Sequence, residues 1–148
     1  MKAKSGFTLV EILIVVVILG ILAAIVIPQF TEASTEAKTS SLVSDLQTVR
    51  SQIELYKIQH NDALPGTVSG VTFENAMTMY TTVDGALATP QAPGAGVYGP
   101  YLQKIPTNQF NNLNTVDPDG TVGGGDSGWV FNTSTGAFNA DTDAHTGL

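Results

Sequence analysis

Three carboxylates stand close together in a glycine-rich stretch near the C-terminus: Asp117 and Asp119 in Asp117-Pro118-Asp119-Gly120, and Asp126 just after Gly123-Gly124-Gly125. Carboxylates beside exposed carbonyls are hard oxygen donors of the kind Ca²⁺ takes. The spacing is not that of an EF-hand loop, and Asp-Pro-Asp-Gly is equally an ordinary solvated turn. Other residues suited to chemistry are sparse. His60 and His145 are the only histidines, and neither stands at a metal-ligand spacing such as His-Glu-x-x-His. The chain offers no cysteine nucleophile and no Gly-x-Ser-x-Gly elbow. Gly123–Gly125 is not followed by the lysine and helix that cradle a phosphate. An enzyme is therefore not expected.

The most informative single position is Glu11. It is the only charge in an apolar run that starts at Phe7 and continues from Ile12 through Ile27. A carboxylate at membrane depth costs roughly 2.5–3.5 kcal/mol, so it needs a partner. Nothing nearby in the chain offers one. The partner is expected from another molecule, or from a new amine made by processing.

The elements that must position these groups follow from length and pattern. Phe7–Phe30 is long enough to cross a hydrocarbon core at about 1.5 Å per residue. Lys2 and Lys4 precede it, and positive charge before the segment favours a cytoplasmic N-terminus with the remainder exported. An ordinary secretory signal would carry a polar cleavage region after the apolar stretch; here Ile25-Val26-Ile27 continues it. Six basic and thirteen acidic residues give a net charge of −7, and loss of Lys2 and Lys4 would leave 4 − 13 = −9. That balance argues against nucleic acid as a partner. With no cysteine, an exported domain must hold its loops by packing, hydrogen bonds or a metal.

Here the residues carry a family likeness. Lys4-Ser5-Gly6-Phe7-Thr8-Leu9-Val10-Glu11 resembles the leader junction of type IV pilins and type II secretion pseudopilins. The resemblance covers the first ~60 residues well and the remainder weakly. It implies a leader at 1–6, a membrane and filament-core half-helix at 7–30 and an exported domain at 31–148. It implies cleavage by a prepilin peptidase between Gly6 and Phe7, then N-methylation of Phe7. Glu11 would meet the amine of a neighbouring subunit, a pairing that offsets the burial of both charges. The implied partners are further copies of the chain in a helical homopolymer, the membrane, an inner-membrane assembly platform and minor pilins or pseudopilins. The subunit would wait in the inner membrane and then enter a periplasmic pseudopilus or an extracellular pilus. Family filaments also have a helix melted between a glycine and a proline, which would fall at Gly20 and Pro28. Major pseudopilins bind Ca²⁺ in a comparable C-terminal loop. The pattern favours a major pseudopilin; a type IV pilus pilin and an anchored binding module that never polymerises are the alternatives.

Beyond the membrane, Leu42, Leu46, Val49, Ile53 and Tyr56 recur at helical spacing. One helix from Phe7 to about His60 would be ~80 Å long, with Pro28 kinking it. Its second half should pack on the chain's own domain rather than form a coiled coil. Asn61–Gly66 reads as a helix stop and turn, and His60-Asn61-Asp62 as its frayed end. Thr72 caps a short helix with Phe73, Met77 and Tyr80 on one face. Asp84–Gly99 reads as a loop. Trp129–Asn132 and Gly136–Ala140 form a hairpin with Trp129 and Phe131 on one face. The expected fold is α+β: a long helix packed on a small antiparallel sheet.

Overall fold

Thr8 and Glu11 start the first helix. The computed structural model describes residues 6–148, so Lys2, Lys4 and the rest of the leader ahead of Gly6 lie outside the described residues. Helix α1 runs Leu9–Gln59 and continues unbroken through Gly20 and Pro28. Two compact units divide the chain, one ending at Ala37 and the other Lys38–Leu148. In the first, every large apolar side chain from Leu9 to Phe30 is exposed.

In the second unit the periodic stripe of α1 behaves as its spacing requires. Leu42, Leu46, Val49, Ile53 and Tyr56 are all buried. Each such burial contributes about 1.5–3 kcal/mol. The helix stops where Asn61 and Asp62 turn left-handed, at φ 52° and 63°. The Asp62 amide then donates to the Lys57 carbonyl at 2.9 Å, satisfying one of the last orphan acceptors. His60 does not fray, contrary to the sequence reading. It is 1 % exposed and stacks on Tyr56 with ring centroids 3.7 Å apart. The ring gains apolar contact there and keeps both nitrogens partnered, which a frayed end would forfeit.

Helix α2 is Phe73–Thr78, capped by Thr72, whose hydroxyl accepts from the Asn75 amide at 3.2 Å. Phe73 and Met77 are buried as expected. Tyr80 lies beyond the helix end, because Met79 is already extended at ψ 170°. The Gln91 side chain holds Tyr80 there, accepting from its amide at 2.8 Å and donating to its carbonyl at 3.1 Å. Strands β1 (Thr81–Thr82) and β2 (Val97–Tyr98) form an antiparallel pair. The stretch read as a loop thus ends in a strand.

The main sheet has the order β3-β4-β5, with β3 Val116–Pro118, β4 Trp129–Phe131 and β5 Phe138–Ala140. The hairpin of β4 and β5 pairs Phe131 with Phe138 and Trp129 with Ala140. Strand β3 runs parallel to β4, so the sheet is mixed and not purely antiparallel. Hydrogen bonds at both ends of β3 explain that direction. The Thr115 carbonyl accepts from the Gly128 and Trp129 amides, and the Asp119 amide donates to the Phe131 carbonyl. The glycine-rich segment between them makes the crossover.

Trp129, Phe131 and Phe138 join the α1 stripe and Phe73 in one core cluster. The Phe73 and Phe131 rings lie 4.5 Å apart, and the Trp129 indole donates to the Pro106 carbonyl at 2.8 Å. Val130 is buried too, so β4 is covered on both faces. Arg50 fastens the far edge. Its Nε donates to the Phe138 carbonyl at 3.0 Å, and its Nη2 to Asn139 Oδ1 at 3.2 Å and to the Leu148 carbonyl at 2.7 Å.

Candidate functional site

The first candidate site is the start of α1. Gly6 has no atom within 4 Å of where a Cβ would stand, and Phe7 is 85 % exposed. The backbone at the Gly6–Phe7 bond is therefore open to approach. Thr8 and Glu11 form a reciprocal cap. Glu11 Oε2 accepts from the Thr8 amide at 2.8 Å and from the Thr8 hydroxyl at 2.7 Å, while the Glu11 amide donates to Thr8 Oγ1 at 3.2 Å. This is the Thr-x-x-Glu capping box. It corrects the expectation that the chain offers Glu11 nothing nearby. Thr8 supplies hydrogen bonds, though no opposite charge. The signal was present in the sequence as a threonine three residues before the glutamate.

From Leu9 onward α1 is long and apolar enough to cross a membrane. A Cβ added at Gly20 would meet nothing within 4 Å, so its role is not close packing within this subunit.

The second candidate is the loop between β3 and β4. Among the described residues, no three His, Cys, Asp or Glu side chains form a group able to hold a metal ion. Asp117, Asp119 and Asp126 are accordingly not gathered into one such group. Asp119 is engaged locally. Its Oδ1 accepts from the Thr133 amide at 2.8 Å and its Oδ2 from the Thr133 hydroxyl at 2.5 Å. Those bonds hold its carboxyl below the usual carboxylate range, the hydroxyl contributing most. The Asp117 carboxylate lies against Gly120.

The acid that sequence reasoning missed is Asp141, 2 % exposed, just after β5. Its Oδ2 accepts from the Ser127 amide at 2.9 Å and from the Ser127 hydroxyl at 3.0 Å. Burial alone would raise its pKa. The amides of Ser127 and Gly125, the Ser127 hydroxyl and the Gly123 amide outweigh burial and hold it low. Its Oδ1 is buried and lacks a hydrogen bond, as do Thr142 Oγ1 and His145 Nδ1. A Cβ placed on Gly124 would stand 3.3 Å from the Thr121 carbonyl oxygen and 3.7 Å from Asp141 Oδ1. Only the position of Asp141 after an alternating strand hinted at this role.

A capped, exposed apolar helix leading in the chain to an α+β unit is the architecture of the type IV pilin-like class. The family described as the prokaryotic N-terminal methylation motif matches residues 1–27. Over 122 residues the chain is 35 % identical to type II secretion system core protein G of Pseudomonas aeruginosa, covering 82 % of this chain and 79 % of that protein. The core protein G of Aeromonas hydrophila is 31 % identical over 111 residues, covering 75 % and 71 %. A fimbrial protein of Pseudomonas aeruginosa is 33 % identical over 87 residues, covering 58 % and 56 %. No solved structure matches the chain significantly. The chain belongs to the type II secretion system core protein G family.

Proposed function

We propose that the chain is the major pseudopilin of a type II secretion system, a structural subunit that polymerises and helps move folded proteins across the outer membrane. The observation that carries this reading is the likeness to core protein G along 82 % of the chain. The capped apolar helix after Gly6-Phe7 supports it. In this reading a prepilin peptidase cuts before Phe7 and methylates it. The apolar half of α1 holds the subunit in the inner membrane, N-terminus in the cytoplasm and the α+β unit in the periplasm. An assembly platform then passes it into a helical polymer of its own copies, which minor pseudopilins join. The role is structural and not catalytic.

The fimbrial likeness favours a second reading, a type IV pilus subunit. Shearing cells and locating the protein separates the two. The pseudopilin reading expects retention in the cell envelope, with secretion lost on deletion. Long surface filaments released by shear, with secretion intact after deletion, would replace it with the pilus reading.

Ca²⁺ is the cofactor this reading carries, and unpartnered oxygens around Asp141 support it. The orphaned Asp141 Oδ1 and Thr142 Oγ1 are oxygen donors, and the Thr121 carbonyl flanks the same glycine as Asp141. A bound ion would neutralise the buried carboxylate and fasten the β3–β4 crossover in a chain without disulfides. Calorimetric titration of the full chain in detergent with CaCl₂ is expected to show binding and a raised melting temperature. Asp141→Asn should weaken binding about tenfold or more, whereas Asp117→Asn should change it little. Absence of both heat and a calcium-dependent melting shift ends the proposal.

A further inference from the structure

The residue that follows α1 is a buried histidine. His60 Nδ1 lies 2.8 Å from the Tyr56 carbonyl, which can only accept, so Nδ1 carries the proton. Nε2 lies 2.9 Å from Thr81 Oγ1 and, in the neutral ring, accepts from that hydroxyl. Tyr56 covers one face of the ring nearly parallel, at an interplanar angle of 4°. The edges of Tyr98 and Tyr101 close the box, at centroid distances of 5.5 and 6.0 Å. The Tyr101 hydroxyl stands 3.5 Å from Nδ1 and donates to Gln59 Oε1 at 2.6 Å. The walls therefore come from α1 (Tyr56, Gln59), β1 (Thr81), β2 (Tyr98) and the segment after it (Tyr101). The titratable groups among them are tyrosines. Burial pushes the Tyr56 and Tyr101 hydroxyls upward, which keeps both neutral. Burial acts most strongly on the imidazole, and the Tyr56 and Thr82 backbone oppose it.

We propose that His60 is a proton-sensitive latch that fastens the arm from Thr81 to Tyr98 onto the end of α1 and releases it when the ring takes a second proton. A proton on Nε2 converts that atom from acceptor to donor. The Thr81 hydroxyl must then reverse, and its own hydrogen loses the acceptor it had. A full positive charge also stands in an aromatic box without an anion. The backbone of Tyr56 at the helix end and of Thr82 in β1 favours a cation, but burial outweighs both and holds the ring's pKa below its ordinary value.

The sign follows from that direction. Above the ordinary value of about 6.5 the ring is neutral whether the arm is docked or free, and docking is undiminished. As pH falls below about 6.5 the free arm's histidine binds a proton that the docked one refuses, so docking weakens until pH passes the lowered value. Beside the latch, the Gln91 side chain ties Tyr80 to Ala88, and Gly85 lies against Tyr56 and Val68. The arm's ladder has only the pairs Thr81–Tyr98 and Thr82–Val97, with a bridge from Thr81 to Leu87. A two-stranded pair of this kind is marginal alone.

Hydrogen exchange of the full chain in detergent micelles tests the latch, with rates corrected for the chemical pH dependence of exchange. Peptides from residues 80–98 are compared with peptides from 129–140. Between about pH 7.5 and about pH 5, arm protection is expected to fall about tenfold or more while the β4–β5 peptides stay within about twofold. His60→Gln, which keeps a donor and an acceptor without titrating, should abolish the arm's pH response. Equal loss in both regions, or an unchanged response in His60→Gln, overturns the proposal. Should the Gln variant leave the arm unprotected at both pH values, the imidazole titration of the natural chain decides. A midpoint below about 6.5 that coincides with arm release supports the latch. Titration without release, or release at another midpoint, overturns it.

Discussion

Glu11→Ala is expected to leave the subunit in the membrane and to reduce filament assembly about a hundredfold or more. Two losses are combined in that variant, and their sizes differ. Removing the glutamate half of the box it makes with Thr8 costs about 0.5–2 kcal/mol, a factor of at most about thirty. Breaking a buried ion pair and stranding its partner costs about 3–5 kcal/mol, a factor of hundreds to thousands. Glu11→Gln separates the two, because glutamine completes a capping box but carries no charge. If Glu11 docks on the Phe7 amine of a neighbour, the Gln variant should assemble as poorly as Ala. Glu11→Asp should retain part of the activity, keeping the charge with a shorter reach. Immunoblots of sheared or cross-linked filaments against the membrane fraction supply the measurement. A Gln variant that assembles normally would reduce Glu11 to a helix cap.

The second large effect is expected at Gly128. A Cβ there would overlap the Leu113 carbonyl oxygen, with the carbonyl carbon 2.8 Å away and the Asn114 amide nitrogen 3.2 Å away. These are backbone atoms, so no rotamer change relieves the overlap. The surrounding backbone cannot shift freely. The Gly128 carbonyl accepts from Asn108 Nδ2 at 2.9 Å and from the Asp141 amide at 3.1 Å, and its amide donates to the Thr115 carbonyl at 3.0 Å. Gly128→Ala should therefore cost about 3 kcal/mol or more. The melting temperature of the full chain should fall by about 10 °C or more. Gly94→Ala is the matched control, since its Cβ would meet only Val97 Cγ2 at 3.9 Å. Equal melting of the two variants would show that the β3–β4 crossover can yield.

What was legible in the chain depended on distance along it. The α1 stripe declared itself because five positions repeat within a few turns, and all five are buried. The β4–β5 hairpin was legible for the same reason, as two alternating runs beside a short turn. The Gly6–Glu11 junction was legible from its motif. Strand β3 was not, because Val116-Asp117-Pro118 has the composition of a turn. It becomes a strand through Glu74, whose carboxylate accepts from the Val116 amide at 3.2 Å, and through the Asp119 clasp on Thr133. Asp141 was missed likewise, since its partner Ser127 is 14 positions away and nothing near Asp141 in the chain requires a buried acid. His60 was misread because a polar residue after a helix usually faces water; Tyr56 covers its ring, but the rest of its box comes from side chains from Thr81 onward.

The Arg50 clamp has a temporal consequence. It joins α1 to groups 88 to 98 positions further on, and the aromatic cover of the neighbouring stripe, Trp129, Phe131 and Phe138, comes from the same late region. A chain that emerges N-terminus first therefore exposes Leu42, Leu46, Val49 and Ile53 long before their cover exists. Phe73, Ala76 and Met77 can cover part of the stripe earlier, but the unit's core is completed only when nearly the whole chain has emerged, because so long a loop must close. Until its cover arrives the bare stripe is open to a holding chaperone or a protease, and a chain that stops short of Trp129 keeps that vulnerability for its lifetime.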